Sequence, residues 1–176
     1  CPRQLLAIMR WVMEGNRGLV YVRVMRAASP VLYGEDFRFE FGRAWTLREN
    51  PEDSAVIVSS GRAVHEALAA AELCAARGVA VRVIDMPSVD EEMLLSLAES
   101  EKLVVFAEQN NGFLWQNYAR VLMRKGVRAK RVIAVNALTK EGRPQFIHSG
   151  LYEELLEVFG LSPRRLAETV MKGLSA

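Results

Sequence analysis

Cysteine is scarce in this chain of 176 residues: only Cys1 and Cys74 are present. Two cysteines are too few for the disulfide framework that staples small secreted domains, or for a cysteine-based zinc site. Histidine is equally rare, with His65 and His148 alone. No apolar run approaches the roughly 20 residues a membrane-crossing helix needs. Arg10 and Glu14 interrupt the first apolar stretch, so no signal peptide is legible. Neither sign of charge dominates: 23 basic residues face 21 acidic ones, for a net charge of +2. That balance speaks against nucleic acid or a charged membrane surface as partner. The phosphate-loop pattern and the dinucleotide GxGxxG pattern are both missing, as are internal repeats. The expectation from these absences is a reducing, cytoplasmic compartment. A chain that begins at Cys1 rather than Met is also expected to be a piece of a longer polypeptide.

What remains is ordinary for a globular domain. Hydrophobic residues make up 51% and charged residues 25%, enough for a core of normal size. Residues 4–14 read as an amphipathic helix, with Leu5, Ile8, Met9 and Val12 on one face. Leu19 to Val24 alternates apolar and polar side chains and reads as a strand. Residues 27–43 read as irregular, 44–48 as a short strand and 50–53 as a turn. A repeating pattern follows. The short apolar run at 55–58 fits a strand buried on both faces, and 79–84, 103–107 and 131–135 read as further strands. Between them lie helical stretches at about 62–76, 91–100 and 112–125. Asp90 is the expected cap of the second, and Gly78 and Gly126 end the first and third. Two more helices are expected near 150–159 and 163–173, the last opened by Ser162-Pro163. Strands alternating with helices predict a three-layer α/β/α fold on a mostly parallel sheet of about five strands.

Several residues stand where such folds place ligands, at the carboxyl ends of strands. Ser59, Ser60 and Gly61 join a buried strand to a helix start. Backbone N–H groups there hold anions in other proteins, and a serine helix cap explains the same residues. Asp85 and Glu108 end neighbouring strands, as acids of a reaction or as holders of loops. His65 and His148 are the acid–base groups on offer, or structural side chains. Arg23 and Arg26 suit either a bidentate phosphate grip or a surface ion pair. Asn110 to Trp115 is either a partner surface or a cover for the sheet. Cys74 sits in an alanine-rich helical pattern, as a small buried residue.

The order of motifs resembles the C-terminal part of the transketolase family. Residues 18–26 (GLVYVRVMR) resemble the "GPVYIRxxR" strand that closes the family's pyrimidine-binding domain. Residues 41–49 (FGRAWTLRE) resemble the "FxxGKAxxLREG" lead-in to its C-terminal domain. Residues 53–61 (DSAVIVSSG) look like its "DVTIIATG" strand and turn, and 64–86 look like "VxxALxAAExLxxxGIxVxVIDM". Residues 104–108 (VVFAE), 146–150 (FIHSG) and 152–163 (YEELLEVFGLSP) resemble the later motifs. The sequence departs from the pattern at Pro87-Ser88-Val89-Asp90, at Gln109-Asn110-Asn111 in place of a glycine-rich loop, and at Asn50 in place of a turn glycine. The subfamily therefore stays open.

The resemblance implies a division into 1–27, the tail of the pyrimidine-binding domain; 28–50, a linking segment; and 51–176, the C-terminal α/β domain. It implies a parent enzyme that uses thiamine diphosphate and magnesium, both held by other domains and neither by this chain. It implies two-carbon ketol transfer between sugar phosphates, with the remaining domains or a separate subunit as partners and a homodimer as assembly. Arg26 matches an arginine that helps bind substrate phosphate, and Arg23 stands nearby as a second candidate. Two other readings remain at this point: the C-terminal part of a 2-oxoacid dehydrogenase beta subunit, and a free-standing anion- or nucleotide-binding module built on Ser59, Ser60 and Gly61.

Overall fold

The computed structural model describes residues 1–15, 18–24 and 28–176. They divide into two compact units, Cys1–Phe41 and Gly42–Ala176.

The first unit holds helix α1 (Pro2–Met13), opened by proline at its first turn. Trp11 stacks on Phe41 at 5.3 Å between ring centres, and Phe39 meets it edge-on at 5.6 Å. Residues 18–24 form no strand, which corrects the reading of Leu19 to Val24. The alternation is real, but a strand exists only where a neighbour accepts its backbone hydrogen bonds, and among the described residues none does.

The second unit is built on one five-stranded sheet. Its strands are β1 (Trp45–Arg48), β2 (Ala55–Ser59), β3 (Val81–Asp85), β4 (Leu103–Ala107) and β5 (Val132–Val135). The order across the sheet is β1-β3-β2-β4-β5. Only β1 runs antiparallel, pairing with β3; every other neighbour is parallel. β1 builds residues 45–48 into this sheet, so the lead-in segment belongs with the C-terminal unit.

Helices α2 (Ala63–Ala75), α5 (Tyr152–Val158) and α6 (Pro163–Ser175) cover one face; α3 (Glu91–Glu99) and α4 (Phe113–Lys125) cover the other. The period-2 geometry of a strand explains the two cores. Ala55 and Ile57 enter the core with Val81, Val83, Val105 and Leu166. Val56 and Val58 enter the opposite core with Ile84, Phe106, Leu94 and Leu114. Both cores are apolar, and each large side chain buried there contributes roughly 1.5–3 kcal/mol. Cys74 is fully buried in the first core, as the alanine-rich pattern indicated.

Local signals set the boundaries. Asp90 caps α3 by accepting the Met93 N–H at 2.9 Å. Ser162 caps α6 by accepting the Arg165 N–H at 3.3 Å. Gly126 ends α4 in the left-handed conformation. Among the described residues, no helix is long and apolar enough to cross a membrane.

Candidate functional site

The connections from β2 and β4 leave the sheet in opposite directions. β2 feeds α2 on one face and leads to β3; β4 feeds α4 on the other face and leads to β5. The carboxyl ends of these two adjacent parallel strands are therefore a topological switch point. This is the place where open α/β sheets bind their ligands.

Ser59, Ser60 and Gly61 stand at the β2 side of it. Ser59 is fully buried, and its hydroxyl donates to the Ala107 carbonyl at 2.7 Å, tying β2 to β4. Gly61 turns the chain with φ +62°, and nothing stands within 4 Å of where a Cβ would be. The serine-cap reading is corrected here: the cap position of α2 is Arg62, and no side chain caps the helix.

Near this turn lies a polar chain that sequence spacing did not reveal. Gln109 donates its side-chain amide to the Tyr152 hydroxyl at 2.6 Å. That hydroxyl donates to Glu66 Oε1 at 3.1 Å. Arg62 stands 3.5 Å from the same oxygen and lies 5.5 Å over the Tyr152 ring. The Glu66 side chain is only 7% exposed, and its Oε2 has no hydrogen-bond partner among the described residues. Burial raises the Tyr152 hydroxyl above its usual pKa; the Gln109 bond works against that shift and the Glu66 charge with it. His65, on the same first turn, is held below the usual histidine value, by burial first and by the Arg62 charge second.

Glu108 holds a loop in this structure. Its carboxylate accepts the N–H groups of Leu114 at 2.7 Å and Trp115 at 3.1 Å, closing the start of α4. Burial raises its pKa, against the pull of those two bonds and of Asn110. Asn110 itself accepts the Phe113 N–H at 2.9 Å. Phe113 is exposed, whereas Trp115 packs against the second core. Asp85 is buried at the end of β3; β2 lies between β3 and β4, so Asp85 and Glu108 do not end neighbouring strands, which corrects that reading. His148 is exposed, its Nδ1 at 2.9 Å from the Ser149 carbonyl. Arg23 is exposed in the first unit, and Arg26 lies outside the described residues. Among the described residues, no group of three or more His, Cys, Asp or Glu side chains is gathered to hold a metal ion.

Comparison with known proteins places this geometry. The family model "Transketolase, C-terminal domain" matches residues 42–166. Mouse transketolase-like protein 2 is 26% identical over 172 residues, covering 92% of this chain and 26% of that protein. Transketolase-like protein 1 of Macaca fascicularis is 30% identical over 158 residues, covering 88% of this chain and 26% of that protein. The chain thus spans about a quarter of the length of the curated relatives it matches. A solved structure described as a split gene transketolase, an inactive beta4 tetramer, superposes with a TM-score of 0.82 at 31% identity. It covers 98% of this chain and 55% of that one. With the family model matched over most of its length, the chain belongs to the transketolase family, as its C-terminal domain.

Proposed function

We propose that this chain is the non-cofactor-binding part of a transketolase-type enzyme, which moves a two-carbon ketol unit between sugar phosphates. In this reading, thiamine diphosphate and magnesium are held by the remaining domains or by a separate subunit. This chain supports the assembly, a homodimer of the complete unit. Arg26, with Arg23 as second candidate, binds the substrate phosphate. Alone, the chain does not catalyse transfer. The comparisons favour neither the 2-oxoacid dehydrogenase reading nor a free-standing module.

One observation carries the reading. The first unit buries almost nothing: among its described residues only Gln4 is buried. Leu6, Met13, Leu19, Val20, Tyr21, Val22, Val24, Val31 and Phe41 are all exposed. Apolar surface of that extent in 41 residues marks an interaction face, which supports docking on further domains of the parent enzyme.

The test is reconstitution with the cofactor-binding polypeptide encoded in the same genome. The two are expected to co-purify, and transketolase activity is expected only when both are present. Full activity of that polypeptide without this chain, or no association in gel filtration, sinks the reading. With the complex in hand, Arg26→Ala is expected to raise KM for a phosphorylated acceptor about tenfold, the cost of one charge-assisted contact. An unphosphorylated acceptor is expected to be unaffected.

A further inference from the structure

β5 is one edge of the sheet, and the charge around it has one sign. We propose that this edge is a docking site for an extended acidic segment of a partner polypeptide. The segment pairs its backbone with Val132 and Ala134, sets an apolar side chain into the groove beyond β5, and brings carboxylates to Arg128 and Lys140.

Three observations lead there. First, β4 is the only strand beside β5 among the described residues. Val104 and Glu108 donate their N–H groups to the carbonyls of Arg131 and Val135. The two-residue alternation of a strand then turns the N–H and C=O of Val132 and Ala134 outward. Ala134 is exposed. Such an edge is a template for another strand. Second, a groove continues from the carboxyl end of this edge. Ala134, Val135, Leu138 and Phe159 line its near part, and Phe146 and Ile147 its far part. Phe146 is 91% exposed, in keeping with a surface that takes a partner's apolar side chain. Third, residues 109–140, which hold α4 and β5, contain seven of the 23 basic residues and none of the 21 acidic ones. Arg124 and Lys130 are paired with Glu91 and Glu101. Arg128 and Lys140 are exposed and form no ion pair among the described residues.

The charges choose the partner. Arg128 precedes β5 and Lys140 follows it, so both ends of the edge are basic. Glu141, the next acidic residue, bonds back to Thr139. A second copy pairing through β5 would set Arg128 against Lys140 if antiparallel, and against Arg128 if parallel. Like charges oppose both arrangements. A nucleic acid strand stacks its bases on aromatic side chains, and residues 119–140 contain none. A segment with an apolar centre and acidic ends meets every feature of the edge.

The edge lies wholly within residues 42–176, so its test needs no parent enzyme. The full chain is titrated with a peptide of about ten residues, alternating Val and Thr and ending in Glu pairs, and with the same peptide ending in Lys pairs. Poly(U) is the nucleic-acid probe. The Glu-ended peptide is expected to bind about tenfold tighter than the Lys-ended one, the worth of two exposed ion pairs. Amide NMR shifts are expected at Val132 and Ala134. Arg128→Glu combined with Lys140→Glu is expected to reverse the ranking of the peptides. Ala134→Pro deletes an outward N–H and no bond to β4, a position where an edge strand tolerates proline. It is expected to weaken the Glu-ended peptide about fivefold. No binding of that peptide, equal binding of the two peptides, or tighter binding of poly(U) overturns the proposal. So does an Ala134→Pro chain that binds like the original, or a dimer of the original chain that Ala134→Pro dissociates. Should Ala134→Pro fail to fold, the two peptides and the double charge variant still decide.

Discussion

The Tyr152 hydroxyl donates to Glu66 Oε1 at 3.1 Å, joining residues 86 positions apart in sequence. The bond ties the head of α5 to the first turn of α2, and Gln109 extends it to the loop after β4. Helix α5 has only seven residues, too few to hold its shape without tertiary contacts. Tyr152 and Leu156 are what hold it: the ring packs against the first core and Leu156 is buried in it.

Tyr152→Phe keeps the ring and removes the hydroxyl. Gln109 and Glu66 then each lose a partner, and Glu66 is buried. The expected cost is about 1–2 kcal/mol, read as a lower urea midpoint with an unchanged slope. A midpoint equal to that of the original chain would show that the bond is not made.

How much of this was legible in the sequence depends on range. The strand Ala55–Ser59, the Asp90 and Ser162 caps and the Gly126 stop are local signals, and each stands where the sequence puts it. The Tyr152–Glu66–Gln109 chain was not legible, because nothing in the spacing of three polar residues on separate elements announces that they meet. Leu19 to Val24 failed for the complementary reason. Alternation specifies which side chains share a face; it does not supply the neighbouring strand. The serine cap failed through one glycine, because Gly61 at φ +62° shifts the helix start past both serines.

His65 gives stability a pH dependence with a definite sign. Burial, and then the Arg62 charge, hold its folded-state pKa below the usual value. The unfolded chain therefore takes up the proton first as pH falls. Stability is fully present above about pH 6.5, the ordinary histidine value, and is lost as pH drops through the lower folded-state value. His65→Gln cannot titrate. Between pH 7.5 and 5.5, the urea midpoint of the original chain is expected to fall further than that of the variant. Parallel curves would remove His65 as the cause.

Tyr118 is buried beside Phe106, with ring centres 5.0 Å apart. Its hydroxyl has no hydrogen-bond partner among the described residues, and burial raises its pKa. Tyr118→Phe keeps the ring contact and deletes an unsatisfied polar group. Stability is expected to rise by about 1 kcal/mol. A loss instead would mean that the hydroxyl is paired, for instance through an internal water.

Gly112 and Gly126 bracket α4, and both adopt left-handed backbone, with φ +75° and +68°. A side chain at either position costs about 1–2 kcal/mol of backbone strain. Their surroundings differ. A Cβ at Gly112 would stand 2.7 Å from Asn136 Nδ2, whereas nothing lies within 4 Å of one at Gly126. Asn136 is not free to yield cheaply, because its Oδ1 accepts the Leu138 N–H at 3.0 Å and so shapes the turn after β5. Gly112→Ala must therefore bear the strain and also displace that turn. It is expected to lower stability by about 1 kcal/mol more than Gly126→Ala, a typical cost for one disturbed hydrogen bond. The double variant Gly112→Ala with Asn136→Ala decides the cause. If the collision is responsible, Gly112→Ala costs less in the Asn136→Ala background than in the original chain. If its cost is the same in both, backbone strain alone accounts for it and the contact with Asn136 is incidental.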